Sequence, residues 1–156
     1  MVTKLKRITV NSLSFVRKVE SSHWVDDGVW PEKWIALPQT SHSARTVAYR
    51  NRFVLGGPAH MRLAVTADAV YRLWIDGVEA AAGPELGDIR NTFVDTYKWE
   101  AEPGEHVFVA MVTSFGGHGP FAKIEFEHGF LLAADGADAE KLGSCTENWE
   151  AKLLPG

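Results

Sequence analysis

Between residues 46 and 55 the chain alternates: Val47, Tyr49, Phe53 and Leu55 share one parity, and Arg50 and Arg52 take the other. A period of two is that of a half-buried strand, whose successive side chains point to opposite faces. Asn51 interrupts the apolar row and is expected to face a neighbouring loop, and Gly56, Gly57 and Pro58 end the strand. Residues 60–67 repeat the pattern, with Met61, Leu63, Val65 and Ala67 predicted inward and Arg62 and Thr66 outward. In 70–75, Tyr71, Leu73 and Ile75 share one face, and Arg72 and Trp74 the other. Asp76-Gly77 follows at once and predicts a hairpin, because a type I′ turn needs positive φ at both central residues.

Residues 80–88, with Gly83, Pro84 and Gly87, read as a loop, and 92–99 as a strand with Phe93, Asp95 and Tyr97 on one parity. Pro103-Gly104 marks a turn. Residues 106–115 are apolar on both parities, which predicts a central strand covered on one face by the core and on the other by something external. The inner rows are expected to be the odd-numbered apolar residues from 47 to 111. Gly116, Gly117, Gly119 and Pro120 make a loop around His118, residues 123–127 alternate again, and 130–134 form another apolar run. Asp135-Gly136 begins a turn, and 142–151 resemble a last hairpin arm anchored by Trp149. The first forty residues are the least legible: 1–30 carry no clear pattern, and a strand or two plus irregular chain is expected there.

Short strands at this spacing, with no long amphipathic helix between them, predict an all-β fold, an antiparallel β-sandwich. The length of 156 residues fits a single β-sandwich domain spanning 1–156. A net charge of −4 with scattered basic residues excludes the cationic stripe of a nucleic-acid binder. No apolar run approaches a membrane span, and the first ten residues lack the apolar region of a secretory signal, which favours a cytoplasmic location. The lone cysteine, Cys145, forms no internal disulfide and is read as a small hydrophobe rather than a nucleophile.

The candidate chemistry is sparse. The adjacent pair Asp26-Asp27 is read as a solvated turn, because adjacency does not place two carboxyls across a glycosidic bond. The six histidines show no ligand spacing of the HExxH kind. His118 stands out only for its glycine-rich surroundings. Six tryptophans are a generous supply, and sugars stack their apolar faces on exposed rings flanked by a few polar groups. Trp30, Trp74 and Trp99 are the stacking candidates, weighed against packing in a core or a domain interface. Asp88, Asn91 and Asp95 are oxygen donors within one stretch and the candidate ligands for calcium, at a spacing that is not diagnostic. No other cofactor is expected.

In order along the chain come Trp34-Ile-Ala36, the strand Tyr49-Arg-Asn-Arg-Phe53, Met61-Arg-Leu-Ala-Val-Thr-Ala-Asp68, Tyr71-Arg-Leu-Trp-Ile-Asp-Gly77 and Gly83-Pro84. Tyr97, Pro103-Gly-Glu105, His106-Val-Phe-Val-Ala110, Gly129-Phe-Leu-Leu-Ala133 and Trp149 follow. This series, over residues 30–151, resembles the N-terminal β-sandwich module of bacterial α-L-rhamnosidases. It is also similar to the jelly-roll, galactose-binding-domain-like modules of β-galactosidase-type enzymes. Asp76 stands where the family often has Asn, and both tolerate the turn.

The resemblance implies that hydrolysis belongs to a separate helical barrel, so no catalytic residue carries over and this chain is not itself an enzyme. It implies an accessory domain that supports that barrel, with a rhamnose-containing glycan as ligand bound near Trp30, Trp74, Asp88, Asn91, Trp99 or His118. The alternative is a purely structural module that docks on a partner domain or on its own copy through an exposed apolar face. A small independent enzyme would need convergent titratable groups in one pocket.

Overall fold

The structure is a computed structural model and describes residues 4–9, 17–19, 27–30, 32–38, 43–85, 87, 92–119, 125, 127–145 and 147–155. The strands are β1 (Lys4–Ile8), β2 (Arg17–Val19), β3 (Asp27–Val29), β4 (Arg45–Leu55), β5 (Ala59–Ala67) and β6 (Val70–Ile75). They continue with β7 (Val78–Gly83), β8 (Asp95–Ala101), β9 (Gly104–Ser114), β10 (Phe130–Asp135) and β11 (Glu150–Leu154). A single 3-10 turn, Ala139–Lys141, is the one helical element among the described residues. No helix among the described residues is long and apolar enough to cross a membrane.

A four-stranded sheet runs β1-β8-β5-β10 and a five-stranded sheet runs β11-β4-β9-β6-β7; β2 and β3 pair with each other. Every named pairing is antiparallel. Ile35 bridges to Phe130 and so places the 32–38 segment beside β10. With that segment as first strand, the smaller sheet reads segment-β10-β5-β8 and the larger β4-β9-β6-β7. This is the order of a jelly roll, in which β1 and β11 extend the edges beside β8 and β4.

The two sheets close on one apolar core, which runs from Val47, Tyr49 and Phe53 in the larger sheet to Leu63, Val65 and Trp99 in the smaller. The expected odd-numbered rows of β4, β5 and β6 are buried. Asn51 is buried and donates to the Lys141 carbonyl at 2.8 Å, so the break in the row does face a loop. The hairpin at Asp76-Gly77 has φ of 52° and 80°, as its turn requires. Asp76 also caps the neighbouring strand: the Val107 amide donates to its Oδ1 at 2.8 Å.

Several expectations fail, each for a long-range reason. In β9 the inward residues are even-numbered, Phe108, Ala110 and Val112, while Val107, Val109 and Met111 face out and are half-buried. The register sets this, because Phe53 lies opposite His106 and partners share a face. Burial on both faces belongs instead to β10, with Leu131 and Ala133 on its second side, and to residues 63–67 of β5. Thr66 does not face solvent; it is buried and donates to the Phe93 carbonyl at 2.7 Å. Phe93 itself lies before β8 and is 49% exposed, not inward. Residues 80–83, expected as loop, extend β7, because pairing with β6 overrides an alanine-rich sequence of low strand propensity. The final arm starts only at Glu150; before it come the 3-10 turn and a stretch in which the Ser144 amide donates to the Leu132 carbonyl at 2.7 Å. Among the described residues, three short strands, rather than one or two, precede residue 30. The alternation at 123–127 and the pair Asp26-Asp27 lie largely outside the described residues.

Candidate functional site

The sequence candidates do not converge. Trp99 is 0% exposed and lies between the sheets, edge-on to Phe108 at 4.9 Å, to His106 at 5.3 Å and to Phe53 at 6.1 Å. An indole in that position cannot stack on a ligand, which removes Trp99 from the candidates. Trp30 packs with Val94 on Ala64, Leu131 and Ala133, on the outer side of the smaller sheet. Trp74, half-buried in β6, belongs to the outer side of the larger sheet. His118 is exposed in the turn after β9, where its amide donates to the Phe115 carbonyl at 3.1 Å. Asp88 and Asn91 lie outside the described residues.

One end of the sandwich carries the connections 56–58, 76–77, 102–103 and 136–149, and the other carries 68–69, 84–94 and 115–129. Long loops on a rigid scaffold are the usual carriers of function. At the start of β8, Asp95 is 3% exposed. Its Oδ1 accepts from Arg7 at 2.7 Å and its Oδ2 from the Tyr71 hydroxyl at 2.7 Å. Tyr71 spends its proton there, so its oxygen accepts from Tyr97, 3.1 Å away. Burial raises the pKa of both tyrosines, and the neighbouring carboxylate adds to it. Both Asp95 oxygens are thus engaged within the fold, which turns the expected calcium ligand into a structural anchor. Among the described residues no group of three His, Cys, Asp or Glu could hold a metal ion.

Gly83 is part of the same arrangement. A Cβ there would overlap Asp95 Oδ2 and stand 3.1 Å from Tyr71 Cε1. The carboxylate cannot swing aside without losing both donors. Gly83→Ala is therefore expected to lower the unfolding free energy by about 1–3 kcal/mol, read from urea midpoints. An unchanged midpoint would mean that Asp95 is not held as described.

At the end of β9, Ser114 Oγ is 2.6 Å from His128 Nδ1, and the imidazole stacks on Tyr49 at 5.9 Å. Burial, with Arg45 nearby, lowers the His128 pKa to about 4, so the ring is neutral at pH 7. A hydroxyl beside a neutral imidazole is nucleophile–base geometry. Here both groups are buried, at 7% and 5% exposure, so a substrate carbonyl does not reach the oxygen. A second buried histidine, His106, has Nδ1 at 2.8 Å from Asp76 Oδ2 and Nε2 at 2.8 Å from the Glu102 carbonyl. Both nitrogens are occupied by the fold, and neither is offered to a ligand.

The accessible chemistry is on the outer faces. On the larger sheet the register builds cross-strand rows. One is Glu150-Arg50-Val109-Trp74-Glu79, and the next is Lys152-Ala48-Met111-Arg72-Ala82. Arg50 donates to Glu150 through Nε at 3.0 Å, and Arg72 lies 3.5 Å from Glu79. On the smaller sheet Trp34, 47% exposed, borders Gly129, where a Cβ would stand 3.0 Å from the indole. Sequence reading passed over Trp34 and Phe93 as surface aromatics. The available signal was Trp34 beside inward Ile35, on the opposite parity.

No protein-family model matches the chain, and no curated protein matches it. Among solved structures, the chain is similar to a GH78 family rhamnosidase of Bacillus sp. GL1, with 24% identity and a TM-score of 0.66. The similarity covers 80% of this chain and 14% of that one. The chain therefore shares its β-sandwich fold with one portion of a much longer rhamnosidase.

Proposed function

We propose that this chain is a non-catalytic accessory β-sandwich of a rhamnosidase-like glycoside hydrolase, which supports a separate catalytic domain and contributes weak contact with carbohydrate. The observation that carries the reading is the fold match, which takes up 80% of this chain but only 14% of the rhamnosidase. Hydrolysis of a glycoside needs two carboxyls facing a sugar bond, one of them protonated. Asp95, the buried aspartate at the start of β8, is instead bound by Arg7 and Tyr71. The reading predicts no release of nitrophenol from p-nitrophenyl α-L-rhamnoside by the purified chain above the buffer rate. Reproducible turnover would overturn it.

The exposed aromatic side chains Trp34, beside β10, and Phe93, just before β8, support a second reading, a docking module without sugar binding. It predicts self-association, or capture of a helical-barrel rhamnosidase domain, in sedimentation velocity. A clean monomer that ignores such a domain would count against it.

A further inference from the structure

We propose that two copies of this chain pair edge to edge through β11 and join their five-stranded sheets into one continuous antiparallel sheet. The inference stands apart from the accessory role. A sheet edge presents a row of unpaired amides and carbonyls, and proteins blunt such edges against one another. Three of the four edges of this sandwich are blunted. Beside β10, Ile35 and Phe130 exchange both backbone hydrogen bonds at 2.9 Å. The β7 edge is made irregular by the register shift between Leu73 and Trp74 of its partner β6. The β1 edge carries the exposed cations Lys6 and Arg7, which repel a second copy. The fourth edge, β11, has none of these devices among the described residues.

The partners of β11 in β4 fix which way its side chains turn. Ala151 lies opposite Tyr49 and Leu153 opposite Val47, so both turn toward the core side. Tyr49 and Val47 are buried there, yet Ala151 is exposed and Leu153 is 52% exposed. The strand therefore overhangs the core with an apolar underside that no charge interrupts. Inward-pointing charges are a common protection of an edge, and β11 lacks them. Its charges, Glu150 and Lys152, project from the other side, in the rows of Arg50 and Ala48. Trp149, just before the strand, is buried on the core side, 5.4 Å from Phe130.

The sequence Glu150-Ala-Lys-Leu-Leu154 is self-complementary in one register. A two-fold axis through Ala151 sets Glu150 across from the partner's Lys152, and Lys152 across from the partner's Glu150. On the underside it sets Leu153 across from the partner's Trp149, so the exposed leucine gains an apolar neighbour. The row on the outer side then alternates in charge, from Arg50 through Glu150 to the partner's Lys152. Neighbouring registers fail. An axis through Lys152 opposes two lysines, and one through Glu150 opposes two glutamates. An axis through Leu153 brings Pro155, which has no N–H, into the ladder. A single short strand pair buries less than a permanent dimer does, so the association is weak and reversible, with Kd on the order of 100 μM.

The test is sedimentation velocity of the full chain up to about 1 mM. The expected result is a rise from the single-chain mass of 17.2 kDa toward twice that value. Lys152→Glu and Glu150→Lys each set like charges across the axis, and each alone is expected to stay a monomer. Mixed in equal amounts, the two variants are expected to dimerise, because every charge then meets its opposite. Ala151→Cys in a Cys145→Ser background is expected to give a disulfide-linked dimer under mild oxidation, which covers the case in which a charge variant fails to fold. Leu153→Cys in the same background is not, because its two copies lie beyond the reach of a disulfide. Trp34→Ala should leave the dimer unchanged, which separates this interface from docking through Trp34. The inference is overturned if the native chain keeps its single-chain mass, if either charge variant associates as the native chain does, if their mixture stays monomeric, or if Ala151→Cys does not cross-link. None of these outcomes touches the accessory role, which falls only if the chain hydrolyses the aryl rhamnoside.

Discussion

Trp99→Ala is expected to cost about 3–5 kcal/mol of folding stability, the range for removing a buried aromatic side chain from a close-packed core. The indole has no exposed surface, and its neighbours Phe53, His106 and Phe108 come from both strands that face it across the sandwich. They belong to regular β4 and β9 and cannot move inward far enough to fill the space. A domain holds only about 5–15 kcal/mol in total, so the variant should be partly unfolded at 37 °C. Trp99→Phe should cost less, because the indole N–H has no hydrogen-bond partner to lose. Urea unfolding followed by far-UV circular dichroism measures both. A loss below about 1 kcal/mol for the alanine variant would mean that Trp99 is not packed between the sheets.

The second large effect is a fall in stability on mild acidification, centred on His128. In the unfolded chain its imidazole takes up a proton near the ordinary value of 6.5, whereas in the folded chain burial and Arg45 delay this to about 4. Between those values the unfolded state binds more protons, so stability is full above pH 6.5 and declines as the pH falls toward 4. At about 1.4 kcal/mol per pH unit, the loss approaches about 3 kcal/mol at the acid end. Glu32 works in the opposite direction: burial raises its pKa, so protonating it as the pH falls relieves a cost in the folded state. The difference between native chain and His128→Gln isolates the histidine, since glutamine still reaches Ser114 but does not titrate. Urea midpoints at pH 7, 5.5 and 4.5 should fall more steeply for the native chain. Parallel curves for the two proteins would sink the assignment.

The local parts of the fold were legible because their causes are local. The alternation at Val47, Tyr49, Phe53 and Leu55 reflects the strand's own period of two, and Asp76-Gly77 meets the positive φ that its turn demands. The extent of β7 was not legible: the hairpin at Asp76-Gly77 announced a partner strand, but residues 80–83 are alanine-rich, and only pairing with β6 makes them extended. The aromatic candidates show the limit most clearly. Trp30, Trp74 and Trp99 look alike in sequence, yet they fall on the outside of one sheet, the outside of the other, and the space between.

What the sequence determined by itself was the strand pattern, the turns and the all-β class, each a property of a few neighbouring residues. What only the tertiary structure decided was the side to which each row turns and what stands across from it. Val109 and Phe108 are equally apolar, and the register with Asn51 and Arg50 alone sends one outward and the other into the core. A strand's period fixes that neighbours differ in face, but the choice between faces belongs to partners nearly sixty residues away, through the packing of the whole sandwich.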